Sequence, residues 1–295
     1  MKGHKTVITA SLLLALCGAA VGCRGPLETY NKGRAGLIAS HDLLVTGDRA
    51  LVGQDYDAAT DDYAAATSEL TRAVSYLESA ESSIENEIRA QDLQGNQLSP
   101  RPIPADDRSV QIGSRTVPVD RYYVDSLHAY RQSLALAVVM KTMALTREGE
   151  SHYRVAAHQL HLADELYRTR QFNAAQQSYA YCSKVFRLAS SRFAEAERFL
   201  TTWTADGERL QRAAAPGIWE NVDPLRTLAG RRLKQSDAYL AATLGRSTLA
   251  SRVVAAYQGR KPGDLPEVQI EPLPPLPQAT RYSVQHPPIP RTDSR

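Results

Sequence analysis

The residues with the densest capacity for chemistry lie between positions 158 and 165, where His158, His161 and Glu165 recur at helical spacing. At 100° per residue they fall within about 60° of one another on a helix face. His128 with Asp125, on the helix expected before them, offers a completion of a metal site inside a bundle. Carboxylate-bridged di-metal bundles use Glu-x-x-His on two helices plus two further glutamates. Only Asp125-x-x-His128 takes a similar form here, and Glu165 follows its histidines instead of preceding them. These histidines therefore read as polar residues on a half-exposed face. The chain holds no Gly-x-Ser-x-Gly, His-Glu-x-x-His, Gly-x-x-x-x-Gly-Lys or Cys-x-x-Cys, the local signatures of esterases, zinc proteases, phosphate loops and dithiol redox sites. No catalytic residue, metal or cofactor is assigned, and a non-enzyme is expected.

Cys23 is the other reactive candidate. Lys2, His4 and Lys5 give a basic start, Val7 to Val21 is a 15-residue uncharged run, and small residues lead into Cys23. That is the layout of a secretory signal peptide, and the run is shorter than the roughly 20 residues a helix needs to span a bilayer. Ala20-Val21-Gly22 before Cys23 resembles the lipobox of bacterial lipoproteins, although Leu is more usual where Ala20 stands. The resemblance implies removal of residues 1–22, diacylglycerol on the Cys23 thiol and a further acyl chain on the new N-terminus. At ~0.8 kcal/mol per buried CH₂, two or more chains hold a protein firmly on a membrane. Arg24 in place of Asp implies, by the same resemblance, the outer membrane. Cys17 leaves with the signal, so Cys182 stands alone, without an intramolecular disulfide, and reads as a small buried residue on a helix.

Removing the signal leaves 33 basic and 32 acidic residues, a balance that makes no case for nucleic acid. A tether over 23–33 is expected to lead into an all-α body over 34–258. Its helices are read at Gly36 to Val52, Tyr56 to Ala90, Arg121 to Arg147, Ser151 to Arg170, Asn173 to Ala215 and Asp223 to Gln258, about six in all. Leu70, Val74, Leu77, Ala80, Ile84 and Ile88 form an apolar stripe at spacings of three and four. Asp55 after Gly53 reads as an N-cap, and Asp223 before Pro224 as another. Residues 93–120 contain Pro100, Pro102, Pro104 and Pro118 and read as a long inter-helix loop. Val110 to Ile112 and Thr116 to Val119 are able to pair about Gly113, but two strands alone are marginal. Nine of the last 37 residues are proline, so 259–295 reads as a disordered, extended tail.

Tyr56, Ala59, Tyr63 and Ala66 share their spacing with Phe172, Ala175, Tyr179 and Cys182, 116 residues on. Each set makes a stripe in which small residues separate aromatics and let a neighbouring helix approach. The stripe resembles the second helix of a tetratricopeptide repeat, with Leu162, Ala163 and Leu166 at the first-helix positions and Thr169-Arg170-Gln171 as the turn. Thr71 and Arg187 stand where that family closes with proline, and the copies are not in tandem at 34 residues. The resemblance implies helical hairpins that bind peptide or protein without doing chemistry.

Charge is uneven: residues 55–92 carry net −8 and residues 226–261 net +7, so the two helices are able to face each other or to steer a partner. The expected protein is a lipid-anchored envelope scaffold, tethered through Cys23 to the outer membrane and facing the periplasm, with an envelope protein as partner. The 93–120 loop and the tail are its expected contact elements. The competing readings are a metal-binding or enzymatic bundle using His158, His161 and Glu165, and a structural lipoprotein that binds the cell wall.

Overall fold

The computed structural model describes residues 25–97, 109–112, 115–118, 121–205 and 222–257. The described residues form five helices: α1 (Pro26–Val52), α2 (Tyr56–Gln97), α3 (Arg121–Arg168), α4 (Phe172–Ala205) and α5 (Val222–Tyr257). Between α2 and α3 lie two short strands, β1 (Ser109–Ile112) and β2 (Arg115–Pro118). None of the described helices is long and apolar enough to cross a membrane. The signal segment, Cys23 and the tail from 259 lie outside the described residues.

Three boundaries differ from the sequence reading. The tether expected over 23–33 is helical from Pro26, because Tyr30, Gly33 and Leu37 are buried and give the segment a packed face. The two helices expected over 121–170 are one helix of 48 residues, so the described residues hold five helices. Within the 93–120 loop, α2 continues to Gln97 and the strands pair antiparallel, Val110 opposite Val117. The hairpin does not stand alone, since Val110, Ile112 and Val117 are buried in the helical core; that packing supplies what two isolated strands lack. Asp55 caps α2 as read, accepting from the Ala58 amide at 3.2 Å. Asp223 lies within the first turn of α5 instead of ahead of it.

Each helix packs on the next in chain order, and α1 also touches α3 as α3 touches α5. The result is two layers, with α1, α3 and α5 in one and α2 and α4 in the other. The stripe read on α2 is buried, from Leu70 through Ile88, at roughly 1.5–3 kcal/mol for each large apolar side chain. The acidic and basic stretches do not neutralise each other but both use α3. Arg131 of α3 donates to Glu81 at 2.8 Å and to Glu85 at 2.9 Å on α2. On the other side Arg246 of α5 lies 3.2 Å from Asp164 of α3.

The hairpin α1/α2 is repeated by the second half of α3 with α4, at the same 116-residue offset as the aromatic stripes. Tyr63 donates to Asp48 at 2.8 Å, and Tyr179 donates to Asp164 at 2.7 Å. Each aspartate is also paired with an arginine from the helix beyond, Arg147 at 3.0 Å and Arg246 at 3.2 Å. The two turns match position for position: among the described residues Gln54 and Arg170 are the non-glycine residues with positive φ, at 66° and 63°. The crossings match as well, since a Cβ on Gly33 would lie 2.6 Å from Leu77 and one on Gly149 would lie 2.8 Å from the ring of Phe193. The described body thus contains two copies of one hairpin, joined by β1, β2 and the first half of α3, and then α5.

Candidate functional site

Glu150, Arg154, His158 and His161 recur along α3 at spacings of four, four and three, and so share one face of the helix. That face borders a partly enclosed cavity of about 130 Å³, closed by Tyr56 from the start of α2 and Arg232 from α5. A liquid water occupies about 30 Å³, so the space suits a few waters or a small polar group. Tyr56 is fixed through its own backbone: Ser151 Oγ donates to its carbonyl at 2.8 Å and is 2.7 Å from Thr60 Oγ1.

Electrostatically the floor is an arginine pair shared by one carboxylate. Glu150 Oε1 accepts from Arg154 at 3.2 Å and from Arg232 at 3.4 Å. Glu150 and Arg232 are buried and Arg154 half-buried. Tyr153 is the apolar wall, its ring 5.6 Å from Phe186 and 5.4 Å from Tyr239, edge-on to both. Burial, with Tyr239 beside it, pushes the Tyr153 phenol above its ordinary pKa. His158 and His161 are exposed at the mouth. Two arginines against one glutamate leave the floor at +1.

His158 and His161 are thus brought together, while the other members of the candidate metal set are not. Glu165 is exposed and pairs with Arg168 at 3.1 Å. His128 lies on the same helix as His158, 30 residues away, or about 45 Å at 1.5 Å per residue, and its ring nitrogen is 2.7 Å from Gln132 Nε2. Asp125 belongs to that distant end too. Among the described residues no group of three His, Cys, Asp or Glu side chains is placed to hold a metal ion. Sequence reading missed Tyr153, Arg154 and Glu150, whose spacing with His158 and His161 was visible, and Arg232, which nothing local connects to them. Leu162, given the first-helix leucine position, is 47% exposed, and the buried positions there are Leu160, Ala163 and Tyr167.

A second polar cluster sits where α3 meets α4. Arg192 donates to Glu148 at 2.8 Å and to Glu195 at 2.8 Å. Burial raises the Glu148 carboxyl above its usual range, with Arg192 acting the other way. His152 lies 4.0 Å from Glu148, yet its pKa is lowered, because burial and the Arg192 cation outweigh that carboxylate. Cys182 is fully buried, and burial pushes its thiol up to about 12, so it is no nucleophile at neutral pH.

No protein-family model, no curated protein and no solved structure matches this chain.

Proposed function

We propose that this chain is a bacterial envelope lipoprotein whose helical body is a non-catalytic scaffold for another envelope protein. Acyl chains on Cys23 would hold it on the outer membrane, with the body on the periplasmic side. The lipobox-like Ala20-Val21-Gly22-Cys23 supports the anchor.

One observation carries the scaffold reading, namely the duplicated hairpin whose internal contacts recur while the residues lining its cavity do not. Asp48 and Asp164 keep their tyrosine partners, Tyr63 and Tyr179, in both copies, and Gly33 and Gly149 face the equivalent position, occupied by Leu77 in one copy and Phe193 in the other. Arg154, His158 and His161 correspond to Ile38, Asp42 and Val45 in the first copy. A frame kept twice with its surface respecified is the economy of tetratricopeptide-like arrays, which present a binding face on repeated structural units.

Photo-crosslinking residues placed in cells at His161, on the groove, and at Tyr181, exposed on α4, test this reading. A protein captured in the membrane fraction from position 161 and not from 181 is the expected result. Equal capture from both positions, or from neither, would overturn it.

A further inference from the structure

We propose that the cavity between Tyr56, α3 and Arg232 is a binding site for a carboxylate carried by an acidic peptide segment. This inference rests on the scaffold reading and names the chemistry by which the scaffold would recognise its partner.

The floor is already built for a carboxylate. Arg154 and Arg232 converge from two helices on a single oxygen of Glu150, at 3.2 and 3.4 Å. A guanidinium has five N–H donors in a fork, so the contact to one glutamate oxygen leaves donor capacity at Arg154, beside the buried charge of Arg232. Arg232 also donates to Gln235 Oε1 at 3.0 Å, which fixes its plane against α5. Its side chain is only 7% exposed, and a guanidinium held this deep interacts with an incoming anion in a medium of lower effective dielectric than water.

Charge selects the kind of anion. The +1 floor of Arg154, Arg232 and Glu150 balances one carboxylate, whereas a phosphate monoester, at −1.5 to −2, would exceed it beside the Glu150 carboxylate. Shape adds the peptide: the rings of Tyr56 and Tyr153 form walls on which an aliphatic stem packs, and His158 and His161 at the mouth offer ring nitrogens to the flanking backbone. The first hairpin lacks all of this, since Arg34, Leu37, Ile38, Asp42 and Val45 stand where Glu150, Tyr153, Arg154, His158 and His161 stand in the second. The duplicated frame does not require these side chains, so their clustering at one cavity needs another reason.

The test uses the full chain as Cys23→Ser and three five-residue probes, with binding followed by calorimetry and by the ring resonances of His158 and His161. The probes are a Glu-containing peptide amidated at its C-terminus, a neutral peptide with a free C-terminal carboxylate, and the neutral peptide amidated. Saturable binding of either acid peptide but not the neutral amide, weakened about tenfold or more by Arg154→Gln, is expected. Which acid peptide binds decides between a side-chain and a terminal carboxylate. His158→Ala/His161→Ala, at exposed positions, is a second variant that leaves the fold intact and is expected to weaken binding several-fold. Equal binding of the neutral amide, unchanged affinity in Arg154→Gln with the helical content retained, or saturation by inorganic phosphate alone overturns the proposal. If no probe binds while crosslinking from position 161 still captures a protein, the carboxylate site is wrong and the scaffold reading survives.

Discussion

Asp164 accepts a buried hydrogen bond from Tyr179 across 15 residues, at 2.7 Å, and Asp48 and Tyr63 make the same bond across the same separation in the other hairpin. The copies differ in burial: the Asp164 side chain is 7% exposed and that of Asp48 is 37% exposed. Tyr179→Phe leaves a buried carboxylate with one partner fewer and is expected to cost about 1.5–3 kcal/mol, whereas water replaces the phenol at Asp48 and Tyr63→Phe costs about 0.5–1.5 kcal/mol. Urea denaturation of the two variants checks the order, and an equal or reversed cost contradicts it.

Gly149 is required by a contact and not by a turn. A Cβ there would meet three ring carbons of Phe193 at 2.8, 3.0 and 3.1 Å. Gly149→Ala is expected to lower stability, because overpacking of about 1–3 kcal/mol exceeds the roughly 1 kcal/mol that alanine gains in a helix. Gly245→Ala on α5, with nothing within 4 Å of the new Cβ, is expected to raise stability by about 0.5–1 kcal/mol. Thermal midpoints moving in opposite directions are the outcome to look for.

Much of the frame was legible in the sequence for a physical reason. Asp55 with Gly53 marks the start of α2 because side-chain capping is local chemistry, and the stripes of Tyr63, Leu70 and Tyr179 follow from helical periodicity. Gly149 marks where legibility ends: it lies in the gap left between two expected helices, while the structure continues one helix through it, since what the glycine accommodates is Phe193, 44 residues away. The Asp48–Arg147 and Asp164–Arg246 pairs were hidden likewise, being set by how helices stack. At the candidate site His158 and His161 read as polar residues on a half-exposed face, with metal as the competing reading, and what they share is a cavity with Arg232, which only the packing of α5 on α3 brings near.

His152 gives stability a pH dependence whose sign follows from its lowered pKa. Between the folded value and 6.5 the unfolded chain holds more protons than the folded one, so stability rises with pH through that window and falls on acidification. Glu148, raised by burial above 4.5, acts in the opposite sense, losing stability as pH rises through its folded value. Denaturation of wild type and His152→Gln between pH 5 and 7 separates the two: the variant is expected to lose less stability on acidification. Parallel curves would contradict the assignment.

Cys182 is expected to resist alkylation. With its thiol pushed up to about 12 by burial, iodoacetamide at pH 8 should leave the peptide containing Cys182 unmodified in the folded chain and modify it fully in urea. Rapid labelling without denaturant would mean that α4 opens readily.

The proposed scaffold works from a membrane to which Cys23 fastens it. Intact mass and membrane fractionation of the full chain expressed in a lipoprotein-competent bacterium, beside Cys23→Ser, test it most directly. The expected result is a wild-type chain that begins at Cys23, carries acyl mass and sediments with membranes, and a variant that loses both the mass and the membrane. Two soluble, unmodified products would contradict it and remove the ground for a partner in the envelope.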